Sequence, residues 1–107
     1  MNWTVRFIPK AQDDFDHLDG SQQRQVVNAL RKVSTNPLPY TEGGYGKPLG
    51  HHTTSDLTGL LKVKLKKVGL RIVYQLERHD NRMIIIIIDI RDDKRVYRLA
   101  ERRLKGL

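Results

Sequence analysis

The chain has 107 residues, 20 Lys and Arg against 12 Asp and Glu for a formal charge of +8, and no cysteine. That length suits one domain with one core and leaves no room for a second catalytic unit. Without cysteine there is no disulfide framework, thiolate metal site or cysteine nucleophile, and the cytoplasm is the expected compartment. The start lacks the apolar stretch of a signal peptide, and the longest apolar run, Met83 to Ile88, falls far short of the ~20 residues that span a bilayer, so no membrane partner is expected.

Asn2 to Ile8 alternates Trp3, Val5 and Phe7 with Asn2, Thr4 and Arg6, the period of a strand. Pro9 suits a first helical position, Ala11, Phe15 and Leu18 follow at helical spacing, and Gly20 is expected to end that helix. Its acids Asp13, Asp14, Asp16 and Asp19 read as a solvated outer face. Ser21 is the predicted N-cap of a second helix with Val26, Val27, Leu30 and Val33 on its apolar side, closed by Asn36-Pro37 and packed on the first as a hairpin.

From Pro37 to about Gly59 the sequence is rich in Pro, Gly, Thr and His without a sustained period. It reads as a long connection, mobile or functional, pinned by Leu49 and dispensable for folding. Gly43-Gly44-Tyr45-Gly46-Lys47 lacks the Gly at 41 and the Ser or Thr at 48 of a phosphate loop. His51 and His52 have no carboxylate or thiol at ligand spacing and read as structural or surface residues, so no metal or other cofactor is expected. Leu60 to Lys66, Leu70 to Leu76 and Arg82 to Ile90 read as strands, the last with five consecutive isoleucines that suit a central position covered on both faces. Arg91 to Leu104 is a basic C-terminal segment, helical at least in its second half. The expected fold is α+β, one domain over residues 1–107: an N-terminal strand, a helical hairpin, an antiparallel three-strand meander and a C-terminal helix.

The charge is confined to the second half. Residues 1–59 carry 6 basic and 6 acidic groups, leaving 14 basic against 6 acidic in residues 60–107. An excess localised in this way suits a polyanion, nucleic acid first and an acidic protein second. Alternation puts Lys62, Lys64 and Lys66 on one sheet face, and a two- or four-residue turn at Val68-Gly69 brings Arg71 to the same face.

Leu61-Lys62-Val63-Lys64-Leu65, Gly69-Leu70-Arg71-Ile72-Val73-Tyr74-Gln75, the isoleucine strand, and Arg91 with Tyr97 six residues on resemble the RelE branch of the RelE/ParE toxin superfamily. The resemblance implies a RelE-type ribonuclease of a type II toxin-antitoxin system, which cleaves mRNA in the ribosomal A site and is neutralised by a cognate antitoxin. It carries the catalytic positions onto Lys62, Lys64, Arg71, Arg91 and Tyr97; Lys66, Lys67, Lys94 and Arg95 are the expected further RNA contacts. Metal-independent cleavage needs the 2′-hydroxyl activated, an anionic transition state stabilised and the 5′-oxygen protonated. Arg71 is cast as a phosphate clamp, Lys64 with Lys62 or Tyr97 at the 2′-hydroxyl, Arg91 near the leaving oxygen, and Tyr97 as a base-stacking or orienting group. The alternatives are a ParE-like gyrase inhibitor and a non-enzymatic basic RNA-binding module.

Overall fold

Five β-branched side chains in a row suit a strand packed on both faces, since alternation would leave every second one in water. The computed structural model describes residues 2–52, 55–89 and 93–106 and sets this run in β5 (Arg82–Asp89), with Ile85, Ile86 and Ile87 fully buried. β5 pairs in parallel with β1 (Thr4–Phe7) on one side and antiparallel with β4 (Leu70–Glu77) on the other. β3 (Ser55–Leu65) and β2 (Lys47–His52) complete a five-stranded sheet of order β1-β5-β4-β3-β2. Three helices join it: α1 (Pro9–Asp16), α2 (Gly20–Val33) and α3 (Asp93–Lys105). None of the described helices is long and apolar enough to cross a membrane.

The α+β order read from the sequence is present, but the meander has four strands, because the segment expected to be a long loop contains β2. Pro48 lacks an N–H and Gly50 breaks the apolar pattern; an outermost strand tolerates both, and the β2–β3 register shifts between them. The residues before β2 are also ordered. A 3-10 turn at Tyr40–Glu42 is closed by Tyr40 N–H to Gly46 O, Gly46 N–H to Leu38 O and Tyr45 N–H to Asn36 O. Its glycines answer to packing: a Cβ on Gly44 would strike the Leu38 carbonyl, and one on Gly46 the Tyr74 hydroxyl.

Two helix boundaries differ from expectation. The N-cap of α2 is Asp19, not Ser21, because Asp19 forms a capping box: Gln22 N–H donates to its carboxylate at 2.8 Å, and its own N–H donates to the Gln22 side chain at 3.1 Å. Gly20 therefore opens α2, and α1 has already ended at Asp16.

Nor is Asp14 part of a solvated face. The Arg103 guanidinium of α3 grips its carboxylate at 2.6 and 3.1 Å, Ile88 N–H donates to it at 3.0 Å, and Arg103 also donates to Ile86 O at 2.8 Å. β1 pairs β5 only as far as Ile85, so this ion pair occupies backbone groups of β5 beyond the end of β1 and ties α1 to α3.

Candidate functional site

Residues directly opposite each other in a sheet share a face, so the strand register assigns the site. Phe7, Ile85, Tyr74 and Leu61 form one row across four strands, on the face that receives the chain leaving α2. There Tyr74 donates its hydroxyl to Pro37 O at 2.8 Å. Lys47, Lys62, Val73 and Ile87 form the next row, on the opposite face, and Lys64, Arg71 and Asp89 a third row beside it. Arg71 therefore sits directly across from Lys64, where a four-residue turn over 66–69 brings it.

α3 packs over this face against β3 and β5. Its buried residues Val96, Tyr97 and Ala100 have the spacing of one helical side. The consequence for the lysines is unequal. Lys64 is exposed and Lys66 and Lys67 lie exposed in the turn, whereas Lys62 is 4% exposed beneath the helix. Its ammonium donates to the Tyr97 hydroxyl at 2.5 Å and lies 5.1 Å from the centre of the ring. A charge-assisted hydrogen bond and a buried cation–π contact together offset roughly 3 to 5 kcal/mol, about what desolvating an ammonium costs. Such a pair adds little net stability by itself. Tyr97 itself is only 7% exposed, so its ring is not open for a base to stack on.

Two members of the face were not anticipated. Lys47 lies opposite Lys62 on β2, in a segment read as loop, and Asp89 lies opposite Arg71 at the end of β5. Asp89 gives the third row one anion to two cations, so the patch is less self-repelling than a purely basic one. Arg91 lies outside the described residues, as do the side chains of His51, His52, Lys94 and Arg95; the backbone of both histidines is in β2, and that of Lys94 and Arg95 in α3. Among the described residues no group of three His, Asp or Glu could hold a metal ion.

Residues 5–97 match the family model for the ParE toxin of type II toxin-antitoxin systems, parDE. The chain belongs to the RelE/ParE toxin superfamily. It is 29% identical over 110 residues to a RelE-like toxin protein of Escherichia coli, covering 98% of this chain and all of that one. Its fold is similar to the toxin in the RelBE2 toxin-antitoxin complex of Mycobacterium tuberculosis, with a TM-score of 0.69 at 25% identity over 85% of this chain and all of the other. The free E. coli toxin RelE, as a double arginine mutant, gives a TM-score of 0.72 at 21% identity over 97% of this chain and 99% of that chain. The E. coli RelBE toxin-antitoxin complex aligns at 0.64 with 20% identity over 84% and 98%. The toxin fold thus accounts for both the sheet and the helix laid across its cationic face.

Proposed function

We propose that this toxin is a ribosome-dependent endoribonuclease that cleaves mRNA in the ribosomal A site, inhibits translation and is neutralised by a cognate antitoxin. The observation that carries the proposal is the Lys62 ammonium held against the Tyr97 hydroxyl on a face that also presents Lys64 and Arg71. The Lys62 ammonium donates to the phenol oxygen, so the hydroxyl hydrogen of Tyr97 is directed away from it. Tyr97 then serves as a proton-transferring group and Lys62 positions and polarises it. Arg71, whose planar guanidinium presents a fork of donors, clamps the scissile phosphate, and Lys64 meets the 2′-hydroxyl side of the sugar. Arg91 is assigned to the leaving 5′-oxygen, and Lys66, Lys67, Lys94 and Arg95 to RNA contacts outside the reacting atoms.

In the reaction the 2′-oxygen forms a bond to phosphorus while the bond to the 5′-oxygen breaks, giving a 2′,3′-cyclic phosphate and a 5′-hydroxyl. One proton leaves the 2′-oxygen and one reaches the 5′-oxygen. A cationic set with no strong base works best when something else fixes the in-line geometry, which is the part the ribosome plays in this proposal. The neighbouring toxin-antitoxin complexes support an antitoxin as the protein partner.

The test adds purified toxin to ribosomes programmed with a defined mRNA and maps the new ends. Cuts within the A-site codon support the proposal. The name of the matching family model favours a second reading, gyrase inhibition. Uncut mRNA together with blocked gyrase supercoiling selects that reading; ribosome binding with neither effect selects a non-enzymatic module.

A further inference from the structure

Among the described residues only two large hydrophobic side chains are exposed, Tyr40 at 64% and Tyr45 at 49%, and both belong to the glycine-rich turn before β2. Single exposed aromatics need no explanation, but these two share one turn, which packs on the Tyr74 face and meets the cationic face only across the edge strand β2. The turn is closed by its own backbone hydrogen bonds and tied to the β4–β5 connection by a two-pronged Arg78–Glu42 pair at 2.8 and 2.7 Å. Lys32 reaches from the end of α2 to place its ammonium 5.2 Å from the centre of the Tyr45 ring. Two residues after Tyr45 comes Lys47, directly opposite Lys62, so the turn lies roughly 7 Å of extended chain from the end of the cationic row.

We propose that the Tyr40–Tyr45 turn is a stacking surface for unpaired nucleotides of single-stranded RNA, leading the strand toward the cationic face at Lys47. The proposal rests on the nuclease reading and names a contact that reading does not require. Every base has a π-face, so aromatic rings bind single strands without reading sequence, and neighbouring cations hold the phosphates between stacked bases. Lys32 and Lys47 supply those cations, while the one carboxylate in the turn, Glu42, is occupied by Arg78 and does not repel the strand. The glycines and backbone hydrogen bonds fix the turn before RNA arrives, so little ordering cost is added on binding. A protein partner would also be drawn to exposed tyrosines; the flanking lysines favour the polyanion.

The probe is a short fluorescein-labelled 2′-O-methyl oligouridine, which has no free 2′-hydroxyl to react, titrated by anisotropy at low salt. The Tyr40→Ala/Tyr45→Ala double variant is expected to bind roughly tenfold to hundredfold more weakly than wild type, with an unchanged melting temperature because both rings are exposed. Tyr40→Phe/Tyr45→Phe keeps the affinity, and Lys47→Ala lowers the slope of affinity against salt by about one ion. Equal binding by wild type and the double alanine variant overturns the proposal, as does a wild type that does not bind at all. Loss of antitoxin binding with RNA affinity intact overturns it too and assigns the turn to a protein. Cleavage on programmed ribosomes is measured alongside. If wild type cleaves and the double variant binds RNA normally, only the stacking surface falls. If wild type never cleaves but tyrosine-dependent RNA binding persists, only the nuclease reading falls.

Discussion

Tyr74 and Tyr97 are both buried phenols, one on each face of the sheet, and they do opposite things. Tyr74 donates to the Pro37 carbonyl and locks the chain leaving α2 onto β4. Burial pushes its hydroxyl above the ordinary tyrosine value, so it stays a protonated donor throughout the physiological range. Tyr97 instead accepts a hydrogen bond from an ammonium buried with it under α3. Burial alone therefore says nothing about whether a tyrosine is structural. The partners differ: a neutral carbonyl receives the Tyr74 hydroxyl, and an ammonium donates to that of Tyr97.

That contrast can be broken by substitution on either face. The largest effect is expected on the cationic side, where Lys64→Ala lowers single-turnover mRNA cleavage on ribosomes by an order of magnitude or more while the melting temperature holds, because Lys64 is exposed. Equal cleavage by the two proteins removes Lys64 from the site. Next comes the tie that keeps α3 over Lys62. Asp14→Ala leaves Arg103 without its carboxylate and Ile88 N–H without its acceptor, and should cost about 2 to 4 kcal/mol in urea unfolding, below the fully buried case because the pair is partly exposed. A loss under about 0.5 kcal/mol would place this ion pair with ordinary surface ones.

On the other face, Tyr74→Phe leaves the buried Pro37 carbonyl unpaired and should cost about 1 to 2 kcal/mol with cleavage unchanged. A cleavage defect there would erase the difference between the two tyrosines. The smallest effect is at Glu42, whose carboxyl is held below its ordinary value, first by the hydrogen bonds from Arg78. With the folded value lowered, its contribution is present above the ordinary carboxylate range and is lost as pH falls through the lowered value. Thermal melts should show Glu42→Gln slightly less stable than wild type at neutral pH, with the gap closing in acid; a gap that widens in acid contradicts the sign.

Strand parity alone was enough to bring Arg71 beside Lys62 and Lys64, and five isoleucines were enough to mark β5 as a buried interior strand, although β4 holds the middle of the sheet. Lys47 escaped notice because Lys47–His52 carries Pro48 and Gly50 and lacks alternation, and only an edge position makes such a strand possible. Asp89 needed the β4–β5 register, in which Ile86 is bulged between the partners of Val73 and Tyr74. The burial of Lys62 depends on what covers the sheet, and period two carries no information about that. The apolar spacing of Val96, Tyr97 and Ala100 was the available signal. Asp14 and Arg103 stand 89 residues apart, and no local pattern joins them.

The central claim is that Lys62 is buried for chemistry rather than for stability, and Lys62→Met tests it by melting and cleavage measured on the same preparation. Methionine fills a similar volume without a charge to desolvate. The melting temperature should hold or rise while cleavage on programmed ribosomes falls by about two orders of magnitude. A melting temperature several degrees lower with cleavage retained would contradict the account and make the Lys62–Tyr97 pair a structural contact.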